Sequence, residues 1–318
     1  MPRYLLRRGL ESIPTLLAIS IVLFGLLHIA PGGPTAIYAS SPYVDRAELE
    51  AIEARLGLRE PLPIQYGKWL TGMLTGDWGL SYKYAREARQ IVLERIPATL
   101  ELVAAAVLIS LVVAVPLGLV AAVSRGRLIR HVVSVVSMLG VSVPTFWLGM
   151  ILLLLFSVRL GLIPSGGVQT VGTDFDVGDR LLHLVAPSLV LATFNIAGWS
   201  RYIRSSMLEV MTQDYVRTAR AKGLRERVVI TRHSLRNALM PLITLVGLQL
   251  GALMGGSLVT EVVFSWPGMG RLLAESLDAR DYPVLMGSFM LLAAAVVVGN
   301  LVADIAYAVA DPRIRLDR

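Results

Sequence analysis

The residues of this chain that could do chemistry are charged side chains set against an apolar background. The densest set lies in Asp214–Pro241, DYVRTARAKGLRERVVITRHSLRNALMP, which carries Arg217, Arg220, Lys222, Arg225, Arg232 and Arg236. Such a run breaks no bonds; its chemistry is recognition of another surface. Four carboxylates, Glu11, Glu101, Glu261 and Asp304, fall near the ends of apolar runs. Ionisable groups in such places are functional candidates, and the plainer assignment is that they reach headgroups, cap helices or pair with arginine. No G-x-x-x-x-G-K-[ST] phosphate loop occurs, so the chain is expected neither to bind nor to hydrolyse ATP. Gly268-Met-Gly270 is too short for a dinucleotide fingerprint and reads as a turn. His28, His131, His183 and His233 lack the spacing of a zinc site. No Ser-His-Asp set and no paired carboxylates stand out, so no catalytic or metal-binding residue is assigned.

The background decides the class. The 318 residues are 55% hydrophobic and 17% charged, with a mean hydropathy of +0.64. Soluble domains carry about a quarter charged residues. The shortfall is concentrated in apolar runs of about 20 residues, the length that spans a bilayer as helix. The net charge of +7 does not point to nucleic acid, because the basic residues sit between apolar runs. There is no cysteine, which excludes disulfides and thiolate metal sites.

The expected fold is an all-α polytopic membrane protein with six spans. Residues 1–30 hold a basic N-terminus and the first span, followed by Pro31-Gly-Gly-Pro34 rather than a cleavage site. Residues 96–318 hold the other spans, at about 97–123, 132–160, 181–199, 239–264 and 284–309. Pro97 suits a first helical turn. Between the two lies 31–95, with eight basic and eight acidic residues and aromatics that include Tyr66, Trp69, Trp78 and Tyr82. Helical spacing over Asp45–Leu58, with Gly57 as a stop, and over Gly67–Leu74 makes it a small folded subdomain. Counting short loops only, one face carries 18 Lys/Arg and the other 4. By the positive-inside rule the termini and the 200–238 loop are cytoplasmic.

Within the loop, Asp214 can cap a short helix that Gly223 ends in a left-handed turn. A second helix over about 226–237 carries Arg225, Arg232 and Arg236 on one side and Val228, Leu235 and Leu239 on another. On these residues alone the loop could equally rest on anionic lipid. Polar groups in the spans, Thr193, Asn195, Gln249 and Asn300, could line a path or pack between helices. Gly251 and Gly255 suit close helix approach, or a glycine-lined passage. Carboxylates near the midplane, expected of an ion-coupled secondary transporter, are missing.

Ala219-x-x-x-Gly223 followed by HSLRNALMP resembles the cytoplasmic coupling loop of ABC-importer permeases, closest to the dipeptide/oligopeptide/nickel branch. Further matches are Leu56–Trp69 (LGL-x-x-P-L-P-x-Q-Y-x-x-W), Gly76–Tyr82 (GDWGLSY), Arg95–Leu102 (RIPATLEL), Ser142–Gly149 (SVPTFWLG) and Val263–Leu273 (VFSWPGMGRLL). The resemblance implies a type I importer permease fold in a bacterial or archaeal plasma membrane. It also implies a homologous second permease subunit, two cytoplasmic ATPase subunits or domains, and an extracytoplasmic substrate-binding protein. ATP and Mg would sit on the ATPases, with no cofactor on this chain. ATPase coupling falls to Asp214, Tyr215, Arg217, Thr218, Ala219, Arg220, Lys222, Gly223, Arg225, Arg232 and Arg236. The general family has Glu-Ala-Ala where this chain has Arg217-Thr218-Ala219, so the acidic contact is replaced by basic ones. A scoop-like outer element would dock the binding protein through Asp45, Glu48, Tyr66, Trp69, Trp78 and Tyr82. The cargo class is peptides, with nickel, glutathione or oligosaccharide as alternatives on the same architecture.

Overall fold

The computed structural model describes residues 2–29, 45–55, 57–124, 142–243 and 257–310, with scattered positions between 124 and 142 and between 243 and 257. Four described helices are long and apolar enough to cross a membrane: Gly9–Ile29, Ala88–Val123, Val177–Val210 and Tyr282–Ala303. They belong to α1 (Pro2–Ile29), α4 (Ala88–Val123), α6 (Val177–Val210) and α11 (Tyr282–Ala310). Between α1 and α4 lie α2 (Arg46–Arg55) and α3 (Leu62–Thr75). The helix α3 starts after Pro61, ahead of the expected Gly67, and ends at Gly76 in the left-handed region, φ +91°. Gly57 is also left-handed. No strand is formed among the described residues.

Two expected boundaries move, for one reason. The helix α4 begins at Ala88, so Pro97 lies inside it rather than in a first turn. The added turns bury Ala88, Ile91 and Val92 against Leu272, Leu273, Val284 and Leu285. The helix α6 begins at Val177, where Asp176 caps it by accepting from the N–H groups of Gly178 and Asp179. It passes Trp199 and runs to Val210, because Ile203 and Met207 are fully buried in the main core. Its 34 residues make a rod of about 51 Å at ~1.5 Å per residue. That exceeds the ~30 Å apolar core of a bilayer, so one end of α6 must project from it.

The core is the seam between α4 and α6, where Leu102, Ala106 and Ala114 meet Leu191, Ala192, Ile203 and Met207. The seam is tight at Gly118: a Cβ there would sit 2.7 Å from Ile203 Cβ and 2.8 Å from the Ser200 carbonyl oxygen. The expected third span is described from Pro144 onward as α5 (Thr145–Leu152), which continues as π-helix over Leu153–Arg159. The fifth closes with α9 (Leu258–Val263), followed by α10 (Met269–Asp278); Gln249 and Gly251 lie outside the described residues. Among the described residues of this span one close approach falls at Gly247, where a Cβ would be 2.4 Å from Ala303 Cβ. Among the described residues nothing lies within 4 Å of a Cβ at Gly255.

The turn between α9 and α10 closes over a buried carboxylate. Glu261 is fully buried and accepts from the Thr99 hydroxyl (2.9 Å), the Ser257 hydroxyl (2.8 Å) and the Arg271 N–H (3.0 Å). Thr99 Oγ1 in turn accepts from the Met269 N–H at 2.8 Å, and Trp266 Nε1 donates to the Ala98 carbonyl at 2.8 Å. Glu261 thus joins α4, α9 and α10 rather than reaching a headgroup. A Cβ at Gly268 would lie 2.4 Å from the Glu261 carboxyl carbon. Gly268→Ala is expected to destabilise by about 1–3 kcal/mol through overpacking, whereas Gly255→Ala, in open space, is not; thermal unfolding in detergent compares the two.

Candidate functional site: the basic hairpin and the aromatic pocket

The basic stretch folds as a helical hairpin. Its first arm, α7, is Asp214–Ala221. Gln213, not Asp214, is the residue before the first helical turn, and no side chain caps it; Asp214 lies inside the helix and makes a long 3.7 Å ion pair with Arg217 at the surface. Gly223 is left-handed (φ +73°) as expected. The second arm, α8, runs over 226–238, with a π-helical stretch at Val229–Leu235 between two short α-helical ends. The wider π turn shifts the register, so Val229 is buried and Val228 exposed, where α-helical spacing had put Val228 on the apolar side. Val229 packs on Val216 and Ala219 of α7.

Polar contacts stiffen this hairpin. Arg220 forks onto Glu226 across the turn, Nη2 to Oε1 at 2.9 Å and Nε to Oε2 at 3.3 Å. Asn237 Nδ2 donates to the Tyr215 hydroxyl at 3.1 Å, and the Thr218 hydroxyl donates to the Asp214 carbonyl. The Ser206 hydroxyl donates to the Ala238 carbonyl at 3.0 Å, fastening the hairpin to α6. Arg217, Lys222, Arg225, Arg232 and Arg236 are exposed, with Tyr215 and Leu224 as apolar surface beside them. The result is a rigid, positively charged knob on the end of a rod. At the other end of α6, Arg180 forms a two-pronged pair with Glu101 of α4 and lies over the Trp266 ring at 5.4 Å. Glu101 is therefore an arginine partner, as expected.

A second cluster gathers most of the aromatics singled out between α1 and α4. Tyr66 of α3 shares a 2.7 Å hydroxyl hydrogen bond with Ser20 of α1. Gln65 bonds the His28 ring at 3.1 Å, and Trp69 packs on Phe24. Trp69, Trp78 and Tyr82 line one pocket of about 250 Å³ with Tyr282, Pro283 and Met286 at the start of α11. Asp45 and Glu48 stand apart from it: Asp45 Oδ1 accepts from the Glu48 N–H at 2.7 Å, at the start of α2. What the sequence did not single out is the pocket's footing. Tyr84 donates its hydroxyl to Glu275 Oε2 at 2.7 Å, Lys83 Nζ lies 3.5 Å away, and Arg271 Nε binds Oε1 at 2.7 Å.

Burial alone would raise the Glu275 pKa, but the Tyr84 hydroxyl and the Arg271 guanidinium hold it below the usual carboxylate range. A depressed carboxylate contributes stability above its unfolded value that is lost as pH falls through the folded one. This anchor should therefore be constant from about pH 5 to 8 and fail only below about pH 4. Melting curves of the native chain and Glu275→Gln should converge as pH drops below that range.

Of the polar residues weighed for a path, Thr193, Asn195 and Asn300 are described. The Thr193 hydroxyl turns back to the Leu189 carbonyl at 2.8 Å. Asn195 is buried in the bundle and Asn300 is exposed.

A multi-helix membrane protein with a rigid basic knob on a projecting core helix has the build of a transporter's membrane subunit. The chain belongs to the family of binding-protein-dependent transport system inner membrane components, which it matches over residues 114–316; the N-terminal family of the same membrane components matches residues 1–103. It is 44% identical over 315 residues to the oligopeptide transport system permease protein AppB of Bacillus subtilis (strain 168), covering 99% of each chain. It is 38% identical over 336 residues to the dipeptide transport system permease protein DppB of Escherichia coli (strain K12), again covering 99% of each. Its fold is similar to a chain of the MetNI methionine ABC transporter in an inward-facing conformation, with a TM-score of 0.57 and 19% identity over 70% of this chain and 97% of that one.

Proposed function

We propose that this chain is the permease subunit of an ATP-driven importer that carries dipeptides or oligopeptides across the plasma membrane into the cytoplasm. The observation that carries the reading is similarity over 99% of both chains to permeases named for oligopeptide and dipeptide transport. The basic hairpin supports the energy source, since a chain with no phosphate loop needs a partner that hydrolyses ATP and a place for it to dock. In this reading two cytoplasmic ATPases, which hold ATP and Mg, bind the hairpins of this subunit and of a homologous second permease. The termini and the hairpin face the cytoplasm, and six spans cross the bilayer. The 31–95 subdomain lies outside the cell, where α3 and the aromatic pocket receive a peptide-loaded binding protein.

Force enters at the hairpin. The buried Val216–Val229 contact and the Arg220–Glu226 fork let it move as a body, and Ser206 passes that motion to α6. Since α6 is one helix from Val177 to Val210, its far end must tilt with it. There the Glu101–Arg180 pair and Trp266 carry the tilt into α4 and the Glu261 turn. A rigid-body rearrangement of packed helices of this kind alternates access between faces.

The test is reconstitution of the permease pair with its ATPases in liposomes, supplied with binding protein and radiolabelled di- or oligopeptide. ATP-dependent peptide uptake is expected. Uptake of nickel, glutathione or oligosaccharide in place of peptide would overturn the cargo, and uptake that persists without ATP would instead reveal an ion-coupled secondary transporter.

A further inference from the structure

Asp281, the residue just before α11, is fully buried, yet nothing in the transport reading uses it. Its carboxylate reaches 200 residues back along the chain. Oδ2 accepts from the Ser81 hydroxyl in a short hydrogen bond and from the Lys83 N–H at 3.3 Å, and Oδ1 accepts from the Tyr82 N–H at 3.2 Å. Ser81 Oγ also accepts from the Tyr84 N–H at 3.0 Å. One side chain therefore gathers the backbone of three consecutive residues, directly or through a hydroxyl.

The strip it holds is pressed against α11 on both sides of that contact. A Cβ at Gly287 would lie 2.6 Å from the Trp78 ring, and one at Gly79 would touch Pro283 at 3.6 Å. Trp78 and Tyr82 of the same strip, with Tyr282 and Met286 of α11, form the pocket wall. The far wall, α3, is tied to α1 through Ser20 and His28. The pocket is thus built on two spans, and the joint to α11 is a buried carboxylate rather than a flexible linker. A load on the pocket cannot be absorbed by a hinge at 79–84; it must move α11 or break the Asp281 bonds.

We propose that Asp281 is a positioning residue that transmits engagement of the aromatic pocket by the binding protein to helix α11, and through it to ATP hydrolysis. The inference rests on the importer reading above. Hydrogen bonds to a charged group are stronger than neutral ones and costly to leave unmade once buried, so the strip stays on α11 while the rest of the subdomain is pulled. A mere anchor would lose folding or docking on mutation; a transmitter loses the response and keeps the docking.

The experiment measures ATPase activity of the assembled transporter in nanodiscs against increasing peptide-loaded binding protein. For Asp281→Ala, maximal stimulation should fall at least about five-fold, the lower end of typical couplings between sites, while half-saturating binding protein stays within about two-fold and basal activity is kept. Asp281→Asn, which preserves the acceptor for Tyr82 and lets the Ser81 hydroxyl reverse its bond, should fall between. If Asp281→Ala does not fold, Ser81→Ala removes two bonds of the set, the one to Asp281 and the one from the Tyr84 N–H, leaves Asp281 on the Tyr82 and Lys83 N–H groups, and should show the same pattern in milder form. Unchanged maximal stimulation in the variant that folds, or a raised half-saturating concentration with an unchanged maximum, would overturn the proposal. If the native assembly shows no stimulation at all, it is the importer reading that fails.

Discussion

Gly223→Val is expected to cut binding-protein-stimulated ATP hydrolysis and peptide uptake by about ten-fold or more, with basal expression and membrane insertion unchanged. The cause is conformational, not steric: nothing lies within 4 Å of where a Cβ would sit, but φ is +73°. A non-glycine residue held there stores about 1–3 kcal/mol of strain, and a β-branched one is a genuine outlier. The turn can relieve that strain only by opening. Opening separates Arg220 from Glu226 and lifts Val216 and Ala219 from Val229, so the two arms stop moving as one body. A loss of about 1.4 kcal/mol in the coupled state is already ten-fold in rate. Asn tolerates the left-handed region, and Gly223→Asn should therefore retain most activity. ATPase and uptake assays on the same liposomes read both variants, and full stimulation in Gly223→Val would show that the hairpin is not a rigid lever.

How much of this was legible in the sequence depended on the range of the interaction. The membrane class, the apolar helices, the basic hairpin and its left-handed glycine follow from composition and local turn chemistry. Helix ends are not legible in the sequence where a distant partner sets them. Ala88–Glu94 reads as polar loop until Leu272 and Val284 cover Ile91 and Val92, and residues 200–210 read as loop until Ile203 meets Gly118. Periodicity puts Val228 on the apolar face of α8 because it assumes 3.6 residues per turn, and seven residues there are π-helical. The aromatics form a group in the sequence, but the pocket shared by Trp69, Trp78 and Tyr82 needs α11, two hundred residues away. Asp281 gives no sequence signal beyond an acidic residue before a span; only the fold shows its three donors.

Glu261 shows the same limit and the largest stability effect. Placed near a span end by the sequence, it resembles any carboxylate within reach of the headgroups. Folded, it has no exposed surface, and both oxygens are occupied by donors from α4, from the residue before α9 and from α10. Removing one side of a buried charged set leaves the other unsatisfied, at about 1–3 kcal/mol per orphaned donor. Glu261→Ala removes the shared acceptor of the Thr99 and Ser257 hydroxyls and of the Arg271 N–H together and empties the space that Gly268 was small enough to cover. The expected outcome is loss of folded protein, seen as failure to yield a monodisperse peak in detergent. Glu261→Gln keeps the shape and the Oε1 acceptor shared by Thr99 and Ser257, but turns an amide N–H₂ toward the Arg271 N–H. It should fold with a melting temperature lowered by several degrees, as expected of one lost buried bond in a chain of this size. Because Trp266 and Met269 are fixed to Ala98 and Thr99 by the same turn, Glu261→Gln should also weaken transport at temperatures where the protein is still folded. A Gln variant with native melting and native uptake would mean that the carboxylate charge is dispensable and that shape alone closes the turn.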